Sequence, residues 1–103
     1  MNKQQILTKL KELKPLYEKD GFIIKGIFGS VARDEQNENS DIDILYDLTP
    51  EFTKRHIGFY AVGRLEDIKD ELKKIFDCDI DLATIDSNSK VFQETIKQEG
   101  IYV

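Results

Sequence analysis

Few residues in this chain can form covalent or zinc-mediated cross-links. It contains one cysteine, Cys78, and one histidine, His56, among 103 residues. An internal disulfide is therefore excluded, and a zinc site built from the usual Cys and His ligands is not supported. Cys78 is expected to be a small, buried, apolar residue, and His56 to be solvated.

Long apolar stretches are also lacking. No run approaches the roughly eighteen consecutive apolar residues that suggest a membrane-spanning helix. The chain does not start with a basic segment followed by an apolar one, which is the pattern of a secretion signal. We therefore expect a cytoplasmic protein with no membrane segment.

The chain has no surplus of positive charge. Lys and Arg total 15 against 20 Asp and Glu, which gives a net charge of -5 and a pI near 4.9. Proteins that hold a nucleic-acid backbone need a surplus of basic residues on one face. Direct nucleic-acid binding is therefore not expected. A chain of 103 residues can bury one core, so residues 1–103 are expected to form a single domain.

Hydrophobic periodicity predicts a small mixed β-sheet flanked by helices, which is an α/β (α+β) domain. Two amphipathic helices are predicted from apolar residues at helical spacing, along Ile6, Leu10, Leu13 and either Leu16 or Tyr17, and along Ala61, Leu65, Ile68, Leu72 and Ile75. Pro15 is expected to kink the first helix or to start a second short segment. Strands are predicted at 22–28, 41–48 and 79–85, followed by a last helix through 91–96 and an edge strand at 101–103.

Two aspartates one residue apart give the clearest functional signal. Asp41 and Asp43 follow the polar stretch 34–40 and point to the same side of the second predicted strand, with roots roughly 6.5 Å apart. Carboxylate oxygens are the ligands that Mg²⁺ prefers, so the pair can hold two ions. Either Asp79 or Asp81, on the third strand, can supply another carboxylate. The alternative is a half-exposed strand whose solvent-facing side chains happen to be acidic. Asp is a poor strand former, however, so several Asp residues on two strands favour a functional role.

A glycine-serine turn ends the first predicted strand. Gly29 lets the backbone approach a phosphate closely, and Ser30 adds a hydroxyl donor. The guanidinium group of Arg33 can donate two parallel hydrogen bonds to phosphate oxygens. A Gly-Ser dipeptide is common in ordinary turns and alone does not indicate a phosphate site. It becomes informative because Ser40-Asp41-x-Asp43 follows on the next predicted strand.

With these motifs the chain resembles the minimal nucleotidyltransferase domains of the DNA polymerase β superfamily. Nearly the whole chain is covered, through Gly29-Ser30-x-Ala32-Arg33, Ser40-Asp41-Ile42-Asp43 and Asp79-Ile80-Asp81-Leu82. Asp34 replaces the glycine that many relatives carry after the arginine. The resemblance implies that Asp41, Asp43 and Asp81 are the catalytic and metal-binding residues, with two Mg²⁺ ions. It implies that Gly29, Ser30, Arg33 and Ser40 bind the nucleotide, and it favours Asp81 over Asp79 as the third carboxylate.

The resemblance also implies a function. Relatives of this size act as antitoxins that transfer AMP from ATP to a tyrosine of a partner ribonuclease toxin of the HEPN class. An alternative is a catalytically silent module that neutralises its partner by binding. A third is nucleotide transfer to a small molecule such as an aminoglycoside, which the short chain disfavours because it leaves no room for an acceptor domain.

Tyr17, Tyr60 and Tyr102 are expected to pack against other residues of the domain.

Overall fold

The structure is a computed structural model that describes residues 2–32, 41–84 and 100–103. The described helices are α1 (Lys3–Glu18), α2 (Gly29–Ala32), α3 (Pro50–Arg55) and α4 (Phe59–Phe76). The described strands are β1 (Phe22–Phe28), β2 (Ile42–Leu48), β3 (Ile80–Thr84) and β4 (Ile101–Tyr102). The predicted mixed α/β architecture is confirmed, whereas the helix predicted through 91–96 lies outside the described residues.

Helix α1 begins at a capping box. The Asn2 side chain accepts a hydrogen bond from the Gln5 backbone N–H at 2.8 Å, and the Gln5 side chain accepts one from the Asn2 N–H at 2.9 Å. These bonds satisfy donors that a helix start otherwise leaves without partners. The helix continues through Pro15 to Glu18, so Pro15 does not start a separate segment. Gly21, with φ +86°, takes part in the turn into β1.

The strands form one mixed sheet in the order β3-β2-β1-β4. Strand β1 is antiparallel to both β2 and β4, while β2 and β3 run parallel. The predicted edge strand near the C-terminus is therefore confirmed as β4. Because the β2 to β3 connection is parallel, it needs a crossover, and helices α3 and α4 provide it.

A β-bulge interrupts the pairing of β1 with β2. Ile24 pairs with Tyr46, but the next pair along the strand is Gly26 with Leu45, so Lys25 is the extra residue. The bulge changes which β1 side chains face the helices, because side chains alternate along a strand. Phe22, Ile24 and Ile27 are all fully buried as a result.

The main core lies between the sheet and helices α1, α3 and α4. The strands contribute Phe22, Ile24, Ile27, Ile42, Ile44 and Ile80 to it, and the helices contribute Ile6, Leu10, Leu13, Tyr17, Phe52, Ile68, Leu72 and Phe76. Leu45 points to the opposite face of the sheet and is also fully buried. The sheet face that carries the aspartates is therefore not wholly exposed to solvent.

Two details of the helical layer differ from the sequence prediction. Helix α3 was not predicted, although Thr49-Pro50 is a common helix start because Pro is favoured in the first turn. On α4 the residue that enters the core is Phe76, and Ile75 is partly exposed. Within the described residues, none of the helices has the length and apolar character needed to cross a membrane.

Candidate active site

The strand register brings the predicted carboxylates to one end of the sheet. Asp43 on β2 and Asp81 on β3 are register partners in the parallel pair. Residues paired in this way lie about 4.8 Å apart and project to the same face. Asp43 is half-buried and Asp81 is exposed.

Asp41 and Asp79 each stand two residues earlier than Asp43 and Asp81, immediately before their strands. The Asp79 carbonyl oxygen accepts a hydrogen bond from the Ile42 N–H at 3.0 Å, which ties the starts of β2 and β3 together. Asp41 is half-buried, whereas Asp79 is exposed. The structure therefore brings the backbones of Asp41, Asp43, Asp79 and Asp81 to one region.

Gly29 packs directly against one of these carboxylates. It has φ +72°, a left-handed conformation that favours glycine, and a Cβ added to it would collide with Asp43 Oδ2. Phe28, the preceding residue, pairs with Asp43 across the sheet. The turn that ends β1 is thus in contact with the acidic group on β2, as the two motifs predicted.

The other residues predicted to bind nucleotide are less fully described. The backbone of Ser30 lies in α2, directly after Gly29. Arg33 and Ser40 lie outside the described residues. Their predicted roles therefore rest on the sequence.

The donor set suits a hard divalent cation. Three aspartates supply oxygen ligands of the kind that Mg²⁺ prefers, and the missing side chain at Gly29 lets the turn approach the Asp43 carboxylate. In the described parts of the chain, no group of three or more His, Cys, Asp or Glu side chains is arranged to hold a metal ion. The strand register already places the three backbone positions together, so convergence on an ion requires rotation of the side chains.

Cys78 lies beside this acidic group and is half-buried. Burial raises the pKa of the Cys78 thiol, and the negative charges of Asp41, Asp79 and Asp77 raise it further. A thiol in such surroundings stays protonated and is a poor nucleophile or metal ligand. Cys78 packs against the core while partly buried, so the predicted apolar packing is confirmed and the predicted full burial is not.

A cavity of about 210 Å³ lies next to Asp81, between β3 and α4. Its lining residues are Tyr46, Val62, Leu65, Glu66, Lys69, Asp81 and Leu82. The walls are partly apolar, and burial raises the pKa of the Tyr46 hydroxyl, so Tyr46 remains neutral. Tyr46 and Leu82 alternate with the aspartates along their strands, so the cavity lies on the helix side of the sheet, opposite the face to which Asp43 and Asp81 project.

A cluster of charged residues that the sequence did not reveal lies around Asp20, near the start of β1. The Asp20 carboxylate accepts a hydrogen bond from Arg64 Nε at 2.8 Å and lies 3.1 Å from His56 Nε2. Burial favours a higher pKa for Asp20, but the hydrogen bonds from Arg64 and His56 outweigh it and hold the pKa below its ordinary value. His56 is therefore not simply solvated.

The same cluster reaches α1. Arg64 also donates to Glu71 at 2.9 Å, and Glu71 accepts a hydrogen bond from the Tyr17 hydroxyl at 2.9 Å. Asp20 lies just before β1, whose first residue is at the opposite end of the strand from the residue that pairs with Asp43. The cluster thus holds helices α1 and α4 together, away from the three aspartates. Residues so far apart in sequence give no local signal of their contact.

The chain is similar to known proteins over almost its full length. The profile of the family described as "Polymerase beta, Nucleotidyltransferase" matches residues 5–103. A Methanocaldococcus jannaschii protein, provisionally named a protein adenylyltransferase, is 32% identical over 102 residues, covering 97% of this chain and 93% of that protein. Other proteins of that organism with the same provisional name are also similar.

Solved structures show the same fold. One described provisionally as a minimal nucleotidyltransferase has a TM-score of 0.72 and 22% identity, and the match covers 100% of this chain and 97% of that chain. A toxin-antitoxin structure with AMP-PNP has a TM-score of 0.63 and 24% identity, with 99% and 72% covered. The chain therefore belongs to the polymerase beta nucleotidyltransferase family and has the fold of a minimal nucleotidyltransferase.

Proposed function

We propose that this nucleotidyltransferase is an antitoxin that transfers AMP from ATP to a tyrosine of a partner HEPN-type ribonuclease toxin in the cytoplasm. The observation that carries the proposal is the placement of Asp43 beside both Asp81 and Gly29. This arrangement joins a group of acidic ligands to a turn that can approach phosphates. The relatives named as protein adenylyltransferases support a protein acceptor, and the toxin-antitoxin neighbours support a toxin partner.

In the proposed reaction, the hydroxyl oxygen of the acceptor attacks the α-phosphorus of ATP. A new phosphorus–oxygen bond forms, the bond to the β,γ-diphosphate breaks, and pyrophosphate leaves with the electron pair. Asp81 takes the proton of the attacking hydroxyl, since it is exposed and projects from the outer strand of the described sheet to the same face as Asp43. The product is an AMP ester of the tyrosine.

The remaining site residues bind and orient the triphosphate. Asp41 and Asp43 would hold both Mg²⁺ ions, and Asp81 would hold one of them. When bound, these ions neutralise phosphate charge and stabilise the attacking and leaving oxygens. Gly29 and Ser30 bring backbone N–H groups toward the phosphates, and the sequence adds Arg33 and Ser40 as further contacts.

The test uses labelled ATP, Mg²⁺ and a purified HEPN-type toxin as the candidate acceptor. We expect covalent AMP on the acceptor, and Asp43→Asn should reduce the rate about 100-fold or more because charge stabilisation in the transition state is lost. Asp47→Asn is the matched control. Asp47 lies on the same strand and face but is exposed and accepts a hydrogen bond from the Leu48 N–H.

The outcomes separate the candidate functions. Stable association without label would support a silent binding module instead. Label on an aminoglycoside with no protein present would support the small-molecule alternative. An unchanged rate in the Asp43→Asn protein would overturn the proposed site.

A further inference from the structure

Strand β4 is anchored on the main core. Ile101 and Val103 pack against this core, on the side where Ile27, the strand partner of Ile101, is fully buried. Tyr102, between them, is 55% exposed, so the prediction that it packs is wrong, as it is for Tyr60, which is 81% exposed. Alternate residues of a strand project to opposite faces, so the side chains that hold β4 are those of Ile101 and Val103.

The backbone of the same segment contacts the bulge of β1 directly. The Val103 N–H donates a hydrogen bond to the carbonyl oxygen of Lys25 at 2.9 Å, and Lys25 is the extra residue of the bulge. The next two residues of β1 pair with the two residues of β4. The register of β1 with β2 shifts at the bulge, whereas the pairing of β1 with this segment continues without a shift. Strand β4 is therefore the regular partner of β1 at this point.

Gly26 makes the close pairing with β4 possible. A Cβ built on Gly26 would collide with the Ile101 carbonyl oxygen and would lie 2.8 Å from Tyr102 Cα, and both are backbone atoms. Gly26 is not among the glycines with positive φ, so close approach of the neighbouring strand is the reason for glycine here. Any larger residue at position 26 would push β4 away from β1.

Lys14 fastens the same segment to helix α1. Its Nζ donates a hydrogen bond to the Val103 backbone oxygen at 3.0 Å, in a partly buried contact between residues 89 positions apart in the sequence. Both backbone groups of Val103 are thus held, the oxygen by Lys14 and the N–H by Lys25. A hydrogen bond from a charged donor is stronger than one between neutral groups. We call these two bonds, together with the close approach at Gly26, the β4 clamp.

The β4 clamp lies close to the turn of the candidate active site. Two residues beyond Gly26, Phe28 pairs with Asp43, and Gly29 then contacts the Asp43 carboxylate. A bulge disrupts the strand ladder locally and leaves its extra residue unpaired, so β2 alone holds this part of β1 weakly. The clamp holds Lys25 and Gly26 from the other side of β1, and this keeps the residues after the bulge in place.

We propose that the β4 clamp positions Gly29 against Asp43, which makes Lys14 and Gly26 positioning residues for nucleotide transfer. They act through β1, whose end leads into the turn at Gly29. The effect on transfer rests on the proposed function. The effect on the contact between Gly29 and Asp43 can be measured with no substrate present.

The first test compares Lys14→Met, which removes the hydrogen bond to Val103, with Lys14→Arg, which restores a charged donor. In amide correlation NMR spectra, the Gly29 and Asp43 resonances should shift in Lys14→Met and return toward their wild-type positions in Lys14→Arg. Lys11→Met is the matched control, because Lys11 is exposed on the same helix, and it should leave both resonances in place.

The second test changes the close approach itself. Gly26→Ala should shift the Gly29 and Asp43 resonances more than Lys14→Met does, because it displaces β4 as a whole. Gly63→Ala is the matched control, since a Cβ at Gly63 meets nothing within 4 Å among the described residues, and it should shift neither. If the Gly26→Ala protein does not fold, the comparison of Lys14→Met with Lys14→Arg decides alone.

Transfer of AMP to a purified HEPN-type toxin measures the consequence for the reaction. At a temperature where each protein is folded by circular dichroism, Lys14→Met should lower kcat about 5- to 100-fold, the upper figure being the effect of a displacement of about 1 Å. The KM for the acceptor should stay within about 2-fold of wild type, because an interaction that acts only in the transition state changes kcat. Lys14→Arg should recover most of the rate, and Lys11→Met should match wild type.

The outcomes separate this inference from the proposed function. Shifted resonances in Lys14→Met, with no label on the acceptor even from the wild-type protein, would support the clamp and reject the transfer reaction. Unchanged Gly29 and Asp43 resonances, with only a loss of stability in urea, would show that β4 stabilises the domain without positioning the turn, and would overturn the inference. Shifted resonances with an unchanged kcat would overturn it as well.

Discussion

Gly29 and Asp43 are in such close contact that any side chain at position 29 would meet the Asp43 carboxylate. Gly29→Ala should therefore displace Asp43, and it also places alanine at φ +72°. We expect a loss of about 1–2 kcal/mol in the free energy of unfolding from the left-handed backbone. Affinity for a nonhydrolysable ATP analogue with Mg²⁺ should fall in addition.

Gly58→Ala provides the control for this prediction. Gly58 has φ +62°, and a Cβ at this position would have nothing within 4 Å of it among the described residues, so alanine there has the backbone strain without the collision. Urea unfolding measures the stability loss of each variant, and calorimetry should show weaker nucleotide binding for Gly29→Ala alone. Equal nucleotide affinity in both would mean that the contact with Asp43 does not matter to the site.

The identity of the third carboxylate can be tested with two aspartates on or next to β3. Asp81 pairs with Asp43, whereas Asp79 precedes the strand and accepts a backbone hydrogen bond from Ile42. Asp81→Asn should lower the transfer rate about 100-fold or more. Asp79→Asn keeps the backbone bond and should lower it much less. Rate measurements at saturating ATP decide between them, and a larger loss for Asp79→Asn would transfer the role to that residue.

The charged cluster around Asp20 should make stability depend on pH. The pKa of Asp20 is held below its ordinary value, so the stabilisation is present above about pH 4 and is lost as pH falls through the folded-state pKa. Asp20→Asn should therefore lose about 1–3 kcal/mol at neutral pH, through weaker bonds to Arg64 and His56. Urea unfolding at several pH values should show this difference shrinking in acid.

The exposed aspartate Asp67 on α4 is the control for the acid series. Asp67→Asn should stay close to wild type throughout, since exposed charges contribute little to stability. A difference between wild type and Asp20→Asn that stays constant down to the lowest pH would show that the charge of Asp20 is not what matters.

The hydrogen bond from Tyr17 to Glu71 predicts the opposite pH dependence. Burial, followed by the hydrogen bond and the charge of Glu71, raises the pKa of Tyr17 to about 12. The stabilisation is therefore complete below about pH 10 and is lost as pH rises toward 12. Tyr17→Phe keeps the ring against Phe22 and should cost about 1 kcal/mol at neutral pH.

Chemical unfolding across the alkaline range measures this effect. The gap between wild type and Tyr17→Phe should close as Tyr17 ionises. A double-mutant cycle with Glu71→Gln should give a coupling free energy of about 0.5–1.5 kcal/mol. A coupling near zero would show that the bond does not stabilise the protein.

The sequence was sufficient for features that depend on local pattern. The period of Ile6, Leu10 and Leu13 predicted α1, and alternation around Asp43 predicted β2. The pairing of Asp43 with Asp81 also followed, because it needed only that β3 lie beside β2. The spacing predicted that Ile75 enters the core, but Phe76 is the buried residue. An error of one residue along a helix rotates the predicted side chain by about 100°.

Features that depend on contacts between distant segments were not predictable. The ionic contacts of Asp20 join residues 36 and 44 positions away in the sequence. The exposure of Tyr60 was missed because an aromatic residue in an amphipathic helix usually packs. The bulge at Lys25 was missed because one extra residue leaves an apolar strand with an ordinary composition.

The extra residue Lys25 determines how the turn at Gly29 is aligned with the Asp43 carboxylate. With Lys25 present, Phe28 faces Asp43 and Gly29 meets the carboxylate. Deleting Lys25 would straighten the strand and slide everything beyond it by one step of about 3.3 Å, with each side chain turned to the other face. Every reactive group would remain in the polypeptide, yet the phosphate-facing turn and its acidic neighbour would no longer meet. Homologues that vary in length should therefore tolerate insertions elsewhere far better than within this strand.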